Sequence, residues 1–267
     1  MNEAAFVLDG VVKRFGTDRK GHTAVAHLTD RFSSAQQIGI IGESGSGKST
    51  LGRMLCALET STSGSITFNG EEIADIRASK SRLLEFRRQV QLIGQDTTSS
   101  FDPRHSLRES IMFPAMNLLG INRKDAYVKT DALLENLGLN PIMANRPAGG
   151  VSGGQRQRFA IARALIVEPQ MLVCDEVVSA LDVSVQGGIL NFLKTYSREH
   201  RAGIIFISHG LPATAFISSE LRVMYQGVFV ESGPTRTVVT EPAHAYTKKL
   251  LAGYLNTAVE SLESHIA

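Results

Sequence analysis

The sequence predicts an α/β fold organised around a mostly parallel sheet, and three observations predict it. Short continuous apolar runs recur at Gln37–Ile41, Val90–Ile93, 171–174 and Gly203–Ile207, bounded by glycine or polar residues. Most are followed by a longer segment with helical periodicity, and an unbroken run, as opposed to an alternating one, suits a strand covered by helices on both faces. With 267 residues, 43% hydrophobic and 20% charged, the chain can bury a sizeable core and has no disordered or fibrous composition.

Each element follows in order. The first run leads through a glycine-rich loop into a helix expected over 49–58, with Leu51, Leu55 and Leu58 on one face. Between Asp96 and Arg146 the rhythm breaks: Leu107–Leu119 and 125–137 read as helices joined by Gly120 and Asn122, a helical insertion. Toward the end, 221–225 and 228–231 flank Gln226-Gly227 as a short hairpin, and 245–255 reads as a last amphipathic helix.

Several classes fall away. A formal charge of +2 sets up no field that would draw nucleic acid or acidic lipid in bulk. Cys56 and Cys174 follow no metal-ligand spacing, and two buried, reduced thiols are expected. The start Met1-Asn2-Glu3 does not read as a secretion signal. No apolar run approaches the roughly 18 to 20 residues that cross a bilayer.

The chemistry concentrates in three places. Gly42-Glu43-Ser44-Gly45-Ser46-Gly47-Lys48-Ser49 follows a predicted strand and opens a predicted helix, the setting a P-loop requires. Gly45 and Gly47 let successive N–H groups converge on phosphate oxygens at a helix N-terminus. Lys48 then reaches the β- and γ-phosphates, and Ser49 offers its hydroxyl to Mg²⁺. A flexible Gly/Ser linker would give no reason for Lys-Ser at that position. Asp175-Glu176 ends an apolar strand, where carboxylates face the ligand crevice of an open α/β sheet. Asp175 is expected to hold Mg²⁺ through water and Glu176 to polarise an attacking water.

Third, Ser152-Gly153-Gly154-Gln155 precedes a helix carrying Phe159, Ala162 and Ile166 on one face. Together with the P-loop and Asp175-Glu176, this tetrapeptide makes the chain resemble the ATP-binding-cassette (ABC) ATPases. The resemblance implies a RecA-like P-loop NTPase core at about 1–95 and 166–232, a helical signature subdomain at about 96–165, a small β edge, and a tail from 233 to 267.

It also implies that ATP and Mg²⁺ are bound. The residues from Gly42 through Thr50 would hold the nucleotide phosphates. Ser152, Gly153, Gly154 and Gln155 would meet the γ-phosphate of ATP held by a second subunit, again by helix-terminus logic. Gln95 would sense Mg²⁺ beside Ser49 and Asp175 and would face the transporter. Ser179-Ala180-Leu181-Asp182 would cross the dimer interface. Glu176 and His209, with Lys48 and Gln95, would carry catalysis. Phe15 would stack on adenine, although a lone aromatic near a strand end suits the core equally well.

Gln95-Asp96 with Ser99-Ser100-Phe101-Asp102-Pro103-Arg104, and Gly233-Pro234 with Glu241-Pro242-Ala243-His244-Ala245-Tyr246-Thr247, resemble the importer ATPases for dipeptides, oligopeptides, nickel and metal-binding opines. The C-terminal piece is particular to that branch, and ATP chemistry does not call for it. Some members carry a cysteine cluster in a longer tail; none is present here, so no iron–sulfur centre is expected.

The implied partners are a second cassette, identical or paralogous, two membrane permeases and, indirectly, an extracytoplasmic binding protein, with the chain on the cytoplasmic face of the membrane. Nucleic acid is not among them. Val177-Val178, Gly94, Val151 and Gly210 depart from the family pattern at flanking positions and permit one of two composite sites to work poorly. An exporter cassette, a non-transport cassette protein and a small-molecule kinase are the competing readings. The first is disfavoured by the C-terminal region, the second by the lack of a coiled-coil insertion or basic patch, and the third by Ser152–Gly154 and Gln155.

Overall fold

The computed structural model describes residues 4–16, 21–96, 99–179, 181 and 183–254. In chain order, β1 (Ala5–Phe15) and β2 (His22–Ser33) form an antiparallel pair, then β3 (Gln37–Ile41) leads into α1 (Lys48–Leu55). β4 (Ser63–Phe68), β5 (Glu71–Glu72), α2 (Ile73–Ala78) and α3 (Lys80–Gln89) precede β6 (Val90–Ile93). The next stretch is helical: α4 (Leu107–Leu119), α5 (Arg123–Asn136), two short 3-10 turns and α6 (Gly153–Leu165). Then come β7 (Met171–Asp175), α7 (Val183–His200), β8 (Gly203–Ile207) and α8 (Leu211–Ile217). β9 (Glu220–Tyr225), β10 (Val228–Pro234), α9 (Thr235–Thr240) and a helix at 245–254, α10, complete the described chain.

Two sheets result. One has the order β2-β1-β4-β5 and is antiparallel; the other runs β10-β9-β3-β8-β7-β6, parallel except for β10. The apolar runs become the central strands because each is covered on both faces. β7 and β8 are buried at every position. Leu172, Cys174, Ile204 and Phe206 pack with the helices between β6 and β7. Met171, Val173, Ile205 and Ile207, on the opposite face, pack with α1 and the antiparallel sheet. Aromatic contacts anchor that second layer, with Phe6 and Phe68 ring centroids 4.8 Å apart and Phe68 edge-on to Phe86 at 5.4 Å.

Local signals explain the boundaries. Ser106 and Glu109 form a capping box at the start of α4, Gly120 in a left-handed conformation (φ 69°) closes it, and Asn122 caps α5. In the β9–β10 turn both Gln226 and Gly227 have positive φ, 48° and 85°, as a two-residue hairpin of this hand requires. Two expectations are corrected. The first helix ends at Leu55 and not near Leu58, because Ala57 turns left-handed (φ 56°); Leu51 and Leu55 are buried while Leu58 is exposed. β1, β2 and β4 went unmarked beyond a small β edge, because bulges between Leu8 and Val11 and again near Lys13 interrupt the alternation that would announce them. Residue 255, the expected end of the last helix, lies outside the described residues.

Phe206 sits at the centre of the sheet with no exposed surface. Phe206→Ala is expected to cost about 3–5 kcal/mol, the usual penalty for emptying so large a core position. The measurement is the shift in urea unfolding midpoint at constant m-value.

Candidate functional site

The parallel strands β3, β6, β7 and β8 present their C-terminal ends along one edge, so the segments that leave them meet there. The loop after β3 wraps around its own lysine. Lys48 Nζ donates to the carbonyls of Gly42 and Glu43, both at 2.8 Å, and to Ser46 Oγ at 3.3 Å. The ammonium is buried, and desolvation lowers its pKa despite the opposing field of Glu176, Asp175 and Glu43. Glycine is required where the loop is pressed from outside: a Cβ on Gly47, at φ 107°, would lie 2.0 Å from the Ala24 carbonyl oxygen, and one on Gly42 2.1 Å from that of Met224. The turn after β9 supports the loop further, Gly227 N donating to Ser46 O at 3.0 Å while Gly227 O accepts from Ala26 N at 2.9 Å.

β7 delivers the acidic pair. Ser49 Oγ donates to Asp175 Oδ1 at 3.0 Å, joining the start of α1 to the end of β7. Burial raises the Asp175 pKa, only partly offset by that hydrogen bond. Glu176 follows with φ 56°, a strained conformation for a side-chain-bearing residue, held by its N–H to Ile207 O at 2.9 Å. That twist turns its carboxylate toward the strand end of β8. Glu176 Oε1 accepts from His209 N at 3.0 Å and lies 2.7 Å from His209 Nδ1, while Oε2 is buried without a hydrogen-bond partner among the described residues.

These groups open onto one cavity of about 650 Å³, lined by Ser44, Gly45, Gly47, Lys48, Ser49, Thr50, Gln95, Glu176, His209 and Phe15, together with His22 and Ala24. Gly42, Glu43 and Ser46 stand behind the loop as acceptors for Lys48. Asp175 lies beneath Ser49 and lines a neighbouring cleft of about 820 Å³ that it shares with Gln95. Phe15 is 42% exposed at the cavity rim, with the Lys13 ammonium 4.8 Å from its ring centroid, so it is not a core aromatic.

The structure does not bring Ser152, Gly153, Gly154 and Gln155 to this cavity. They form the N-terminus of α6, where Ser152 Oγ accepts from Gln155 N at 3.3 Å and Gln155 Oε1 accepts from Ser152 N at 3.0 Å, leaving Ser152 and Gly153 exposed. Asp182 and Ala180 lie outside the described residues; Ser179 Oγ donates to Glu176 O at 2.9 Å.

Sequence reasoning missed His22, which no pattern marked. Tyr246 stands in the C-terminal motif without any sequence sign that it reaches the site, and Tyr254 is unmarked; their hydroxyls meet Glu43 N at 3.1 Å and the His209 carbonyl. Both thiols are buried, and burial pushes each well above the usual thiol range.

Chemically, a glycine cradle, a buried ammonium, a hydroxyl paired to a carboxylate and an unpartnered carboxylate oxygen suit a polyphosphate and its divalent cation. Gly45, with nothing within 4 Å of a notional Cβ, leaves room for the phosphates at the loop crest. A strand–loop–helix cradle at the edge of a parallel sheet defines a P-loop α/β protein.

The ABC transporter family matches residues 26–179, and the chain belongs to that family. It is 45% identical over 230 residues to the glutathione import ATP-binding protein GsiA of Salmonella paratyphi A, covering 86% of this chain. The chain spans only about a third, 36%, of that relative's length. It is 39% identical over 253 residues to the oligopeptide transport ATP-binding protein OppF of Bacillus subtilis, covering 94% of this chain and 83% of that one. In structure it resembles a dimeric ATP-binding cassette bound to ADP and Pi, with a TM-score of 0.80 at 23% identity over 86% of this chain and 99% of the other. The cbiO1 subunit of Clostridium perfringens gives a TM-score of 0.76 at 22% identity over 90% and 92%. These two likenesses concern the fold.

Because the folded state holds Asp175 with a raised pKa, its ionisation opposes folding. Stability is lost as pH climbs from the ordinary carboxylate range through the raised value. Asp175→Asn, which keeps an acceptor for Ser49, is therefore expected to raise the Tm of the nucleotide-free chain at pH 7 and to have little effect near pH 3. Thermal unfolding across that window checks the sign; a lower Tm at pH 7 would contradict it.

Proposed function

We propose that this chain is the ATP-hydrolysing subunit of an ABC importer for a peptide, nickel or metal–opine class of solute, held peripherally on the cytoplasmic face of the membrane. The convergence of Lys48, Gln95, Glu176, His209 and Phe15 on a single cavity, with the Ser152–Gln155 signature facing outward elsewhere, carries the reading. The exposed N-terminus of α6 is left open to a second chain. The arrangement calls for two cassettes, each ATP lying between the P-loop of one and the signature of the other, with Asp182 at the interface.

The importer assignment rests on relatives whose names are those of import and oligopeptide transport ATP-binding proteins, and on the Gly233-Pro234 and Glu241–Thr247 motifs. No helix among the described residues is long and apolar enough to cross a membrane, so separate permeases would form the path. An extracytoplasmic binding protein would supply the solute. The partition that fits this role is a nucleotide core at about 1–95 and 166–232, a permease-facing helical part at about 96–165, and the tail from 233.

The residues divide the work. The P-loop N–H groups and Lys48 bind phosphate oxygens, and Lys48 would exchange its loop carbonyls for them. Phe15 offers a face to the base. Ser49, Asp175 and Gln95 would hold Mg²⁺, which when bound neutralises phosphate charge. Glu176 acts through Oε2, the oxygen left free, to accept the proton of an attacking water, while His209 fixes Oε1 and so aims the carboxylate. Closure of the two cassettes completes the site and is passed through the Gln95 cleft to the permeases; hydrolysis lets them part. The flanking departures, among them the buried Val177 and Val178, would permit one of the two composite sites of a heterodimer to work poorly.

Glu176→Gln is expected to retain ATP binding, lower turnover at least ~10²-fold, the scale of a lost general base, and accumulate a closed dimer on gel filtration with ATP. Lys48→Ala should instead lose ATP binding. Turnover at the wild-type rate by Glu176→Gln would remove the glutamate from that role.

A further inference from the structure

We propose that α10 is a positioning element of the ATP site, its two tyrosine hydroxyls bracketing the P-loop at one end and the His209 strand end at the other. The inference rests on the ATPase reading above and deepens it.

The helix is seated firmly before it reaches the site. Glu231 of β10 accepts from the backbone N–H groups of Ala243 at 2.8 Å and His244 at 3.0 Å, and His244 Nδ1 accepts from Tyr246 N at 3.1 Å. The Tyr246 ring leans on Tyr225 with centroids 4.1 Å apart, and Tyr225 ends the strand whose turn supports Ser46. From that seat Tyr246 Oη accepts from Glu43 N, while Glu43 O accepts from Lys48 Nζ. One residue thus has its N–H tied to the tail and its carbonyl tied to the phosphate-binding lysine.

Eight residues further, about 12 Å along a helix, Tyr254 Oη donates to the carbonyl of His209. His209 in turn holds Oε1 of Glu176 by both its N–H and its ring. Burial raises the pKa of both phenols, that of Tyr254 to about 12, so each stays a neutral O–H at working pH. Helix α10 therefore touches both halves of the proposed machinery, the residue that seats Lys48 and the residue that aims the base.

The two contacts act on different steps, which makes them separable. Tyr254→Phe should lower kcat about 3- to 10-fold, the factor carried by one ordinary hydrogen bond, with KM for ATP unchanged. Tyr246→Phe should raise KM by a similar factor with a smaller change in kcat. Both are measured on the full chain assembled with its proposed permease partners, alongside Tm. A merely structural role would instead lower Tm and move both constants together in both variants, and that outcome overturns the proposal, as does wild-type kinetics in both. Absence of ATP turnover in the wild-type complex would bring down the ATPase reading itself, a result distinct from active wild type with silent tyrosines.

Discussion

A buried ammonium organises this molecule. Lys48 can be withdrawn from water only because the loop before it curls until two carbonyls and a hydroxyl surround Nζ, and that curl is possible only where β2 and β9 press glycine and nothing larger. The antiparallel sheet is therefore part of the site, not an appendage to it: Ala24 packs over Gly47, and the β9–β10 turn bridges Ala26 to Ser46. Burial strips the ammonium of water, lowers its pKa despite nearby carboxylates, and leaves carbonyl and hydroxyl acceptors that a phosphate would better replace.

The parallel sheet carries this arrangement between two unlike layers. Alternate residues of β7 and β8 pack into a helical layer on one face and an aromatic layer on the other, so the strand ends cannot shift without disturbing both. Rigidity there permits strain at the tip. Glu176 adopts a left-handed conformation at the end of β7, tethered by Ile207 O, and the result is a carboxylate with one oxygen committed to His209 and one free. Asp175, its neighbour, is buried at a cost that Ser49 only partly offsets. Both acids are held less comfortably than a structure built for stability alone would hold them, which fits the proposed roles of holding a cation and moving a proton.

Legibility in the sequence followed the range of the forces involved. Strands β3, β6 and β8 and helix α4 are readable to the residue because their signals are local: an apolar run between polar ends, or Ser106 three before Glu109 and Gly120 after the last turn. β1 and β2 are not, since their burial alternates imperfectly around bulges and depends on pairing with each other. At the site, residues in motifs with fixed spacing are readable. His22 and Tyr254 are not, nor is the contact of the motif residue Tyr246 with the loop, because each reaches the site from a distant element and leaves no spacing behind.

By itself the sequence determined the α/β class, the phosphate-binding loop, the acidic pair and the order of motifs, because glycine, lysine and carboxylate chemistry at set intervals is specified by covalent distance. Only the tertiary structure decided that Phe15 stands at a cavity rim, that Ser152–Gln155 face away from the cavity their own chain builds, and that the tail closes over both Glu43 and His209. Those depend on strand order and on which faces are buried together, properties of the packed whole that no local run of residues encodes.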